Sequence, residues 1–192
     1  MTAHAAPRRN WWPWRAFLPV LALMVIVLRA MGRTWWCECG RLAPWAGDIW
    51  STHCSQHIFD PYSFTHILHG VVFGGLIWLA ARRLRPVWQF WLAVTFEAGW
   101  EILENSPWII QRYREATIGL GYVGDAIANS FGDIACCAAG FILARFLGLR
   151  RSVLLFVAIE LLLLIVVRDN LTLNVLMLIC PIEAIKSWQM VR

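Results

Sequence analysis

The sequence predicts an all-α fold, a polytopic bundle of transmembrane helices, on three observations. Hydrophobic residues make up 59% of the chain and charged ones only 15%, with a mean hydropathy of +0.58, a balance unlike that of a soluble globular domain. Apolar runs recur at lengths close to the ~20 residues that a membrane helix needs. Basic residues also gather at the ends of alternate runs, as the positive-inside rule requires.

In chain order, residues 15–31, 63–82, 87–108 and 123–147 are predicted spans, and 152–167 is a shorter fifth. The first follows WWPWR, whose tryptophans suit an interfacial anchor. A secretory signal peptide is the competing reading of this run, since Ala30-Met31-Gly32 imitates a small-x-small cleavage site. Asp60-Pro61 and Ser63 mark the start of the second helix, with Ser63 as its capping hydroxyl. The last apolar piece, Leu171 to Ile185, contains Pro181 and is short for an untilted span, so a re-entrant, interfacial or sixth helix is expected. Without internal repeats or linkers, residues 1–192 are expected to form one membrane domain, its longest connection the outer loop 32–62.

The charge distribution orients this bundle. Arg8, Arg9 and Arg15 precede the first run, Arg82, Arg83 and Arg85 follow the second, and Arg145, Arg150 and Arg151 join the fourth to the fifth. The opposite loops hold fewer arginines, so the N-terminus is expected in the cytoplasm and loops 32–62 and 109–122 on the outer side of a bacterial inner membrane. A net charge of +5 placed at span ends suits lipid headgroups as partners, and no nucleic-acid motif accompanies it.

Three polar stripes interrupt the apolar runs. Glu97, Glu101 and Glu104 stand at i, i+4 and i+7, one face of the third helix. His66 and His69 share a face of the second, beside Gly70 and Gly74, whose spacing admits a close neighbour. Asp125, Asn129 and Asp133 repeat the spacing on the fourth. At a rise of ~1.5 Å per residue the stripes lie at similar depth near the outer surface, with Glu97 and Asp133 deeper. Each ionisable group inside a bilayer costs about 2.5–3.5 kcal/mol, so such groups face a bundle interior or a wet cavity. Interhelical hydrogen-bonding glue accounts for any one of them; the set points to a shared site.

Imidazole with carboxylate suits zinc, iron or manganese. The expected site therefore binds a divalent metal through His66, His69 and some of Glu97, Glu101, Glu104, Asp125 and Asp133. Glu101, Glu104 and Asp125 are the catalytic candidates, a Glu left free by the metal as general base, on a lipid-linked substrate. Asn129, Arg112 and Arg114 are candidate substrate contacts, the guanidinium groups because they hold phosphate or carboxylate bidentately. An accessory or assembly subunit with protein partners in a larger membrane complex is the alternative, and a proton or cation transporter the third.

In the outer loop Cys37, Cys39 and Cys54 stand with His53 and His57. An oxidising compartment predicts a disulfide from Cys54 to Cys37 or Cys39, with a metal site as the other outcome. Cys136, Cys137 and Cys180 lie in apolar context and are expected as small core residues.

The runs HCSQHIFDPYSFTHILHG, EAGWEILENSPWIIQRYR, GYVGDAIANSFGDIA and RDNLTLNVLMLICPIEAIKSWQ resemble an uncharacterised bacterial membrane-protein family known only as a domain of unknown function. That resemblance covers nearly the whole chain and implies a membrane fold without an assigned activity. More distantly, the order of elements is similar to VanZ-like proteins. Asp60, His66, Glu101, Arg112, Asp125 and Asn129 would fill that pattern, from which the second histidine and the extra carboxylates depart.

Overall fold

The computed structural model describes residues 15–191, so Arg8, Arg9 and the tryptophans of WWPWR lie outside the described residues. Seven α-helices and no strand are present among them: α1 Phe17–Ala30, α2 Ser63–Ala81, α3 Pro86–Glu104, α4 Pro107–Ala116, α5 Ile127–Val167, α6 Leu171–Ile179 and α7 Glu183–Met190. One of these, α2, is by itself long and apolar enough to cross a membrane, with a mean hydropathy of 1.6; α1 is apolar but has 14 residues.

Local chemistry sets the helix ends. At the start of α2 it is Asp60, not Ser63, that caps: Asp60 Oδ1 accepts from the Tyr62 N–H at 2.7 Å and the Ser63 N–H at 3.3 Å. Ser63 Oγ accepts from the Asp60 N–H at 3.1 Å in return and donates to Asp133 Oδ1 at 3.1 Å. Pro86 opens α3 from the first-turn position where its missing N–H costs nothing. The predicted third span runs four residues too far, because Ser106 precedes a proline and is pushed into extended backbone. Its hydroxyl then accepts from the Ile109 N–H at 3.3 Å and starts α4, so most of the expected loop 109–122 is helix.

The fourth predicted span also begins late. Gly124 has φ +92° and Ala126 is extended, so Asp125 precedes α5 and only Asn129 and Asp133 keep the helical spacing. A straight helix of the 41 residues of α5 would separate its ends by about 60 Å. Yet Asn129 near its start and Asn174 just beyond its end line one pocket. The chain therefore doubles back at Gly148, where φ 71° and ψ 171° break the helix and suit a residue without Cβ. The two halves, 127–147 and 149–167, correspond to the fourth and fifth predicted runs.

Helix α2 packs chiefly on α5, while α3 packs against α1, α2 and α5. A Cβ at Gly70 would overlap the carbonyl of Cys137, and one at Gly140 that of Ile67, so these two glycines let the α2 and α5 backbones touch. Met24, Leu28, Trp91, Val94, Ala98, Ile127 and Ile134 fill the α1–α3–α5 seam. Ile77, Ala93 and Phe141 form a second apolar layer between α2, α3 and α5.

The C-terminal piece is two short helices. A nine-residue α6 rises about 14 Å, too little for a sixth span. Asn170 caps it from Oδ1 to the Leu173 N–H at 2.8 Å, and the Glu160 carboxylate accepts from the Leu171 and Thr172 N–H groups at 2.9 and 3.1 Å. Cys137 is buried as expected and Cys136 half-buried. Cys180 is exposed, because α6 ends there ahead of Pro181.

Candidate functional site

A cavity of about 270 Å³ opens between the outer loop, α2, the end of α3, α4, the 117–125 segment and α6. Its floor is polar: Asp60, His66, His69, Glu104, Asp125, Asn129 and Asp133 reach it, whereas Trp100, Ile118, Leu120, Val123, Val175 and Leu178 make apolar walls.

The centre of the floor is an imidazole–carboxylate cluster from three helices. Glu97 is fully buried and serves both histidines, with Oε1 2.5 Å from His66 Nδ1 and both oxygens 3.1 Å from His69 Nδ1. The other nitrogen of His66, Nε2, lies 3.8 Å from Asp133 Oδ2. Glu101 is also fully buried, 3.6 Å from His66 Nδ1, and neither of its oxygens has a hydrogen-bond partner. Glu104 Oε2 is likewise unpartnered. One ligand atom each from His66, Glu101 and Glu104 falls within 4.8 Å of the others, and the same holds for His66, His69 and Glu97. A carboxylate buried without a donor is strongly disfavoured unless it meets a proton or a cation.

A second layer fixes the rim. Asp125 Oδ2 accepts from Asn105 Nδ2 at 2.7 Å and its own N–H donates to Asn105 Oδ1 at 2.7 Å, while the Tyr122 hydroxyl donates to Oδ1 at 2.9 Å. Asp125 thus reaches the site from a loop, held by a residue at the end of α3. Asn129 Nδ2 donates to the Ile58 carbonyl at 3.4 Å. Burial pushes the Asp60 carboxyl above its usual range, and it accepts from the Ser55 N–H at 2.8 Å. The Tyr62 hydroxyl donates to Asp169 Oδ2 at 3.1 Å, tying the start of α2 to the chain before α6. Burial raises the Asp169 carboxyl to about 6.

Arg112 and Arg114 are not on this wall. Arg112 Nε donates to the Leu178 carbonyl at 2.8 Å and Arg114 Nε to the Tyr122 carbonyl at 2.5 Å, so both guanidinium groups brace the rim from behind. Sequence reasoning missed Asn105, which directly follows the Glu stripe in ENSP, and Asp169, Asn170 and Asn174 in RDNLTLN, a polar run abutting an apolar one.

In the outer loop all three cysteines are free. Cys54 Sγ donates to Asp60 Oδ2 at 3.8 Å, and burial followed by the Asp60 charge drives its thiol pKa up. Cys37 Sγ lies 3.2 Å from His53 Nδ1 and Cys39 Sγ 3.6 Å from His57 Nε2.

Comparison with known proteins gives a family. The model of the protein family of unknown function DUF2585 matches residues 28–191. A UPF0314 protein of Sinorhizobium fredii is 45% identical over 183 residues, covering 95% of this chain and 93% of its own length. UPF0314 proteins of Paracoccus denitrificans (44% identical; 92% of this chain, 91% of its own) and Sphingopyxis alaskensis (45% identical; 92% and 94%) are similar over the same extent. No solved structure matches the chain. With the family model spanning α2 to α7 and a relative 45% identical over 95% of the chain, the chain belongs to the DUF2585 family.

Proposed function

We propose that this protein is a five-span inner-membrane protein whose outward-facing cavity binds a divalent cation and acts on an amphiphilic, lipid-linked substrate. The observation that carries the reading is Glu101, fully buried with both oxygens unpartnered beside His66 and Glu104. A cation shared by His66, Glu101 and Glu104 satisfies those oxygens and keeps a position open toward the cavity, the arrangement of a catalytic rather than a structural metal. Glu97 accepts from the histidines, orients them and raises their basicity. Asp133, on the wall and outside that ligand set, is the general base.

Support for the membrane setting comes from the outward faces. Leu18, Leu79, Phe146, Leu149 and Ile165 are between 67% and 84% exposed, apolar surface that a bilayer would cover. With the N-terminus cytoplasmic, the cavity faces the periplasm. A polar floor under apolar walls fits a headgroup and the first part of its lipid chain. Below the cluster, one to two helical turns further in, Phe73, Ala93 and Phe141 close the bundle, which favours a blind cavity over a transport path. The accessory-subunit reading keeps one observation of its own: Trp35 and Leu42 stand 56% and 86% exposed on the outer loop.

The test is metal content of detergent-purified protein after saturating supply and desalting, in a Cys39→Ser background that removes the loop thiolate cluster. The expected result is one retained divalent ion in that background and none once Glu101→Gln or His66→Ala is added. No retained ion in the Cys39→Ser protein, or an ion indifferent to both further changes, would sink the proposal.

A further inference from the structure

The outer loop holds a second potential ligand set. We infer that Cys37, Cys39, His53 and His57 form a closed, four-coordinate zinc site that fixes the loop over the cavity. Sequence spacing hides it, because the four residues match no familiar metal motif; the fold brings one ligand atom from each to within 4.8 Å of the others.

The geometry is that of tetrahedral zinc. Zinc–sulfur bonds of ~2.3 Å and zinc–nitrogen bonds of ~2.0–2.1 Å place a sulfur and a nitrogen about 3.5 Å apart around one ion. The two measured separations, 3.2 Å from Cys37 to His53 and 3.6 Å from Cys39 to His57, bracket that value. Backbone turns on both sides supply the arrangement. The Gly40 N–H donates to the Cys37 carbonyl at 3.1 Å and Gly40 takes φ +68°, folding the first two ligands into a tight turn. The Gln56 N–H donates to the His53 carbonyl at 3.1 Å, curling the second pair.

An independent observation points to a ligand. His57 Nδ1 lies 2.5 Å from the Ala43 carbonyl, which can only accept, so Nδ1 carries a proton while Nε2 faces Cys39 Sγ. This outer-shell contact is the one that metal-bound histidines make. Cys54, the third loop cysteine, faces Asp60 instead, so the set is two thiols and two imidazoles, not a disulfide partner and leftovers. Such a closed set has no open position for substrate; its role is structural. Ser51, Thr52, Cys54 and Ser55 line the cavity beside or between the ligands His53 and His57, so the ion would pin that part of the wall.

The experiment replaces zinc with cobalt(II) in the full-length, reduced, detergent-solubilised protein. The expected spectrum has the visible bands of tetrahedral cobalt and a near-ultraviolet thiolate-to-cobalt band. It should persist in Glu101→Gln, which alters the cavity cluster, and disappear in Cys39→Ser and His57→Ala. Zinc analysis should give one equivalent lost with each loop variant and none of that equivalent lost with Glu101→Gln. Absence of the thiolate band in the wild-type protein after full reduction overturns the inference even if the loop variants fail to fold, and so does a band unchanged in Cys39→Ser.

Discussion

Two histidine clusters in one chain are built on different plans. In the outer loop, sulfur and nitrogen face one another across turns, and none of Cys37, Cys39, His53 or His57 lines the cavity. In the bundle, His66 and His69 share a single carboxylate and lie on the cavity wall, next to Glu101 with no donor at all. The first set offers four ligand atoms and stands off the cavity; the second opens onto the cavity and holds a carboxylate that no donor meets. That difference is the one between a part proposed to hold shape and a part proposed to receive a guest, and histidine is the residue type that both contain.

Removing Glu97 should have the largest effect on this contrast. Glu97→Ala leaves the buried His66 and the half-buried His69 without their common acceptor, and breaking a buried pair on one side costs about 3–5 kcal/mol. Unfolding in mild detergent should show that loss in Glu97→Ala and a smaller one in Glu97→Gln. A cost below about 1 kcal/mol would mean that the two imidazoles do not depend on Glu97. Next, Asn105→Ala strips Asp125 of two hydrogen bonds, and the expected loss is about 1–3 kcal/mol. Because the two clusters share no ligand, the losses of metal from Cys39→Ser and Glu101→Gln should add in the double variant, measured as equivalents per chain.

The rim should respond to pH. The carboxyl of Asp169 titrates near 6 in the fold, above an unfolded value near ~3.9, so the folded state binds the extra proton. Its contribution is therefore fully present below about pH 4 and is lost as pH rises through 6. The melting temperature of wild type relative to Asp169→Asn should fall between pH 4 and pH 7, and an unchanged difference over that window would contradict the assignment. The smallest effect is expected from Arg114→Ala, within about 0.5 kcal/mol in the same unfolding experiment, since an exposed guanidinium meets one carbonyl there.

Much of the bundle cluster was legible because helical spacing is a strong signal in an apolar background. Glu97 and Glu101 at i, i+4 fell on one buried face, and His66 and His69 met them from the neighbouring helix. Spacing misled where a short-range device ended the helix first. Pro107 stopped α3 and turned the expected loop into α4, and Gly124 lifted Asp125 off the start of α5, although both still serve the cavity. Arg112 and Arg114 show a different case: their chemistry suits anions, and in the fold their Nε groups meet the Leu178 and Tyr122 carbonyls behind the rim. In the outer loop the ligand types were legible but the disulfide was the favoured outcome, because pairing Cys37 with His53 across sixteen residues, and turning Cys54 to Asp60, depends on tertiary folding.

One glycine has a further consequence for how the cavity works. The floor residues Asn129 and Asp133 sit ahead of Gly148, and the rim residues Asn174, Val175 and Leu178 sit after it. The torsions at Gly148 therefore act together with the Tyr62–Asp169 and Arg112–Leu178 hydrogen bonds in setting how far apart the two sides of the mouth stand. A β-carbon at that point would bias the angle, making residue 148 the place where aperture, rather than chemistry, can be tuned.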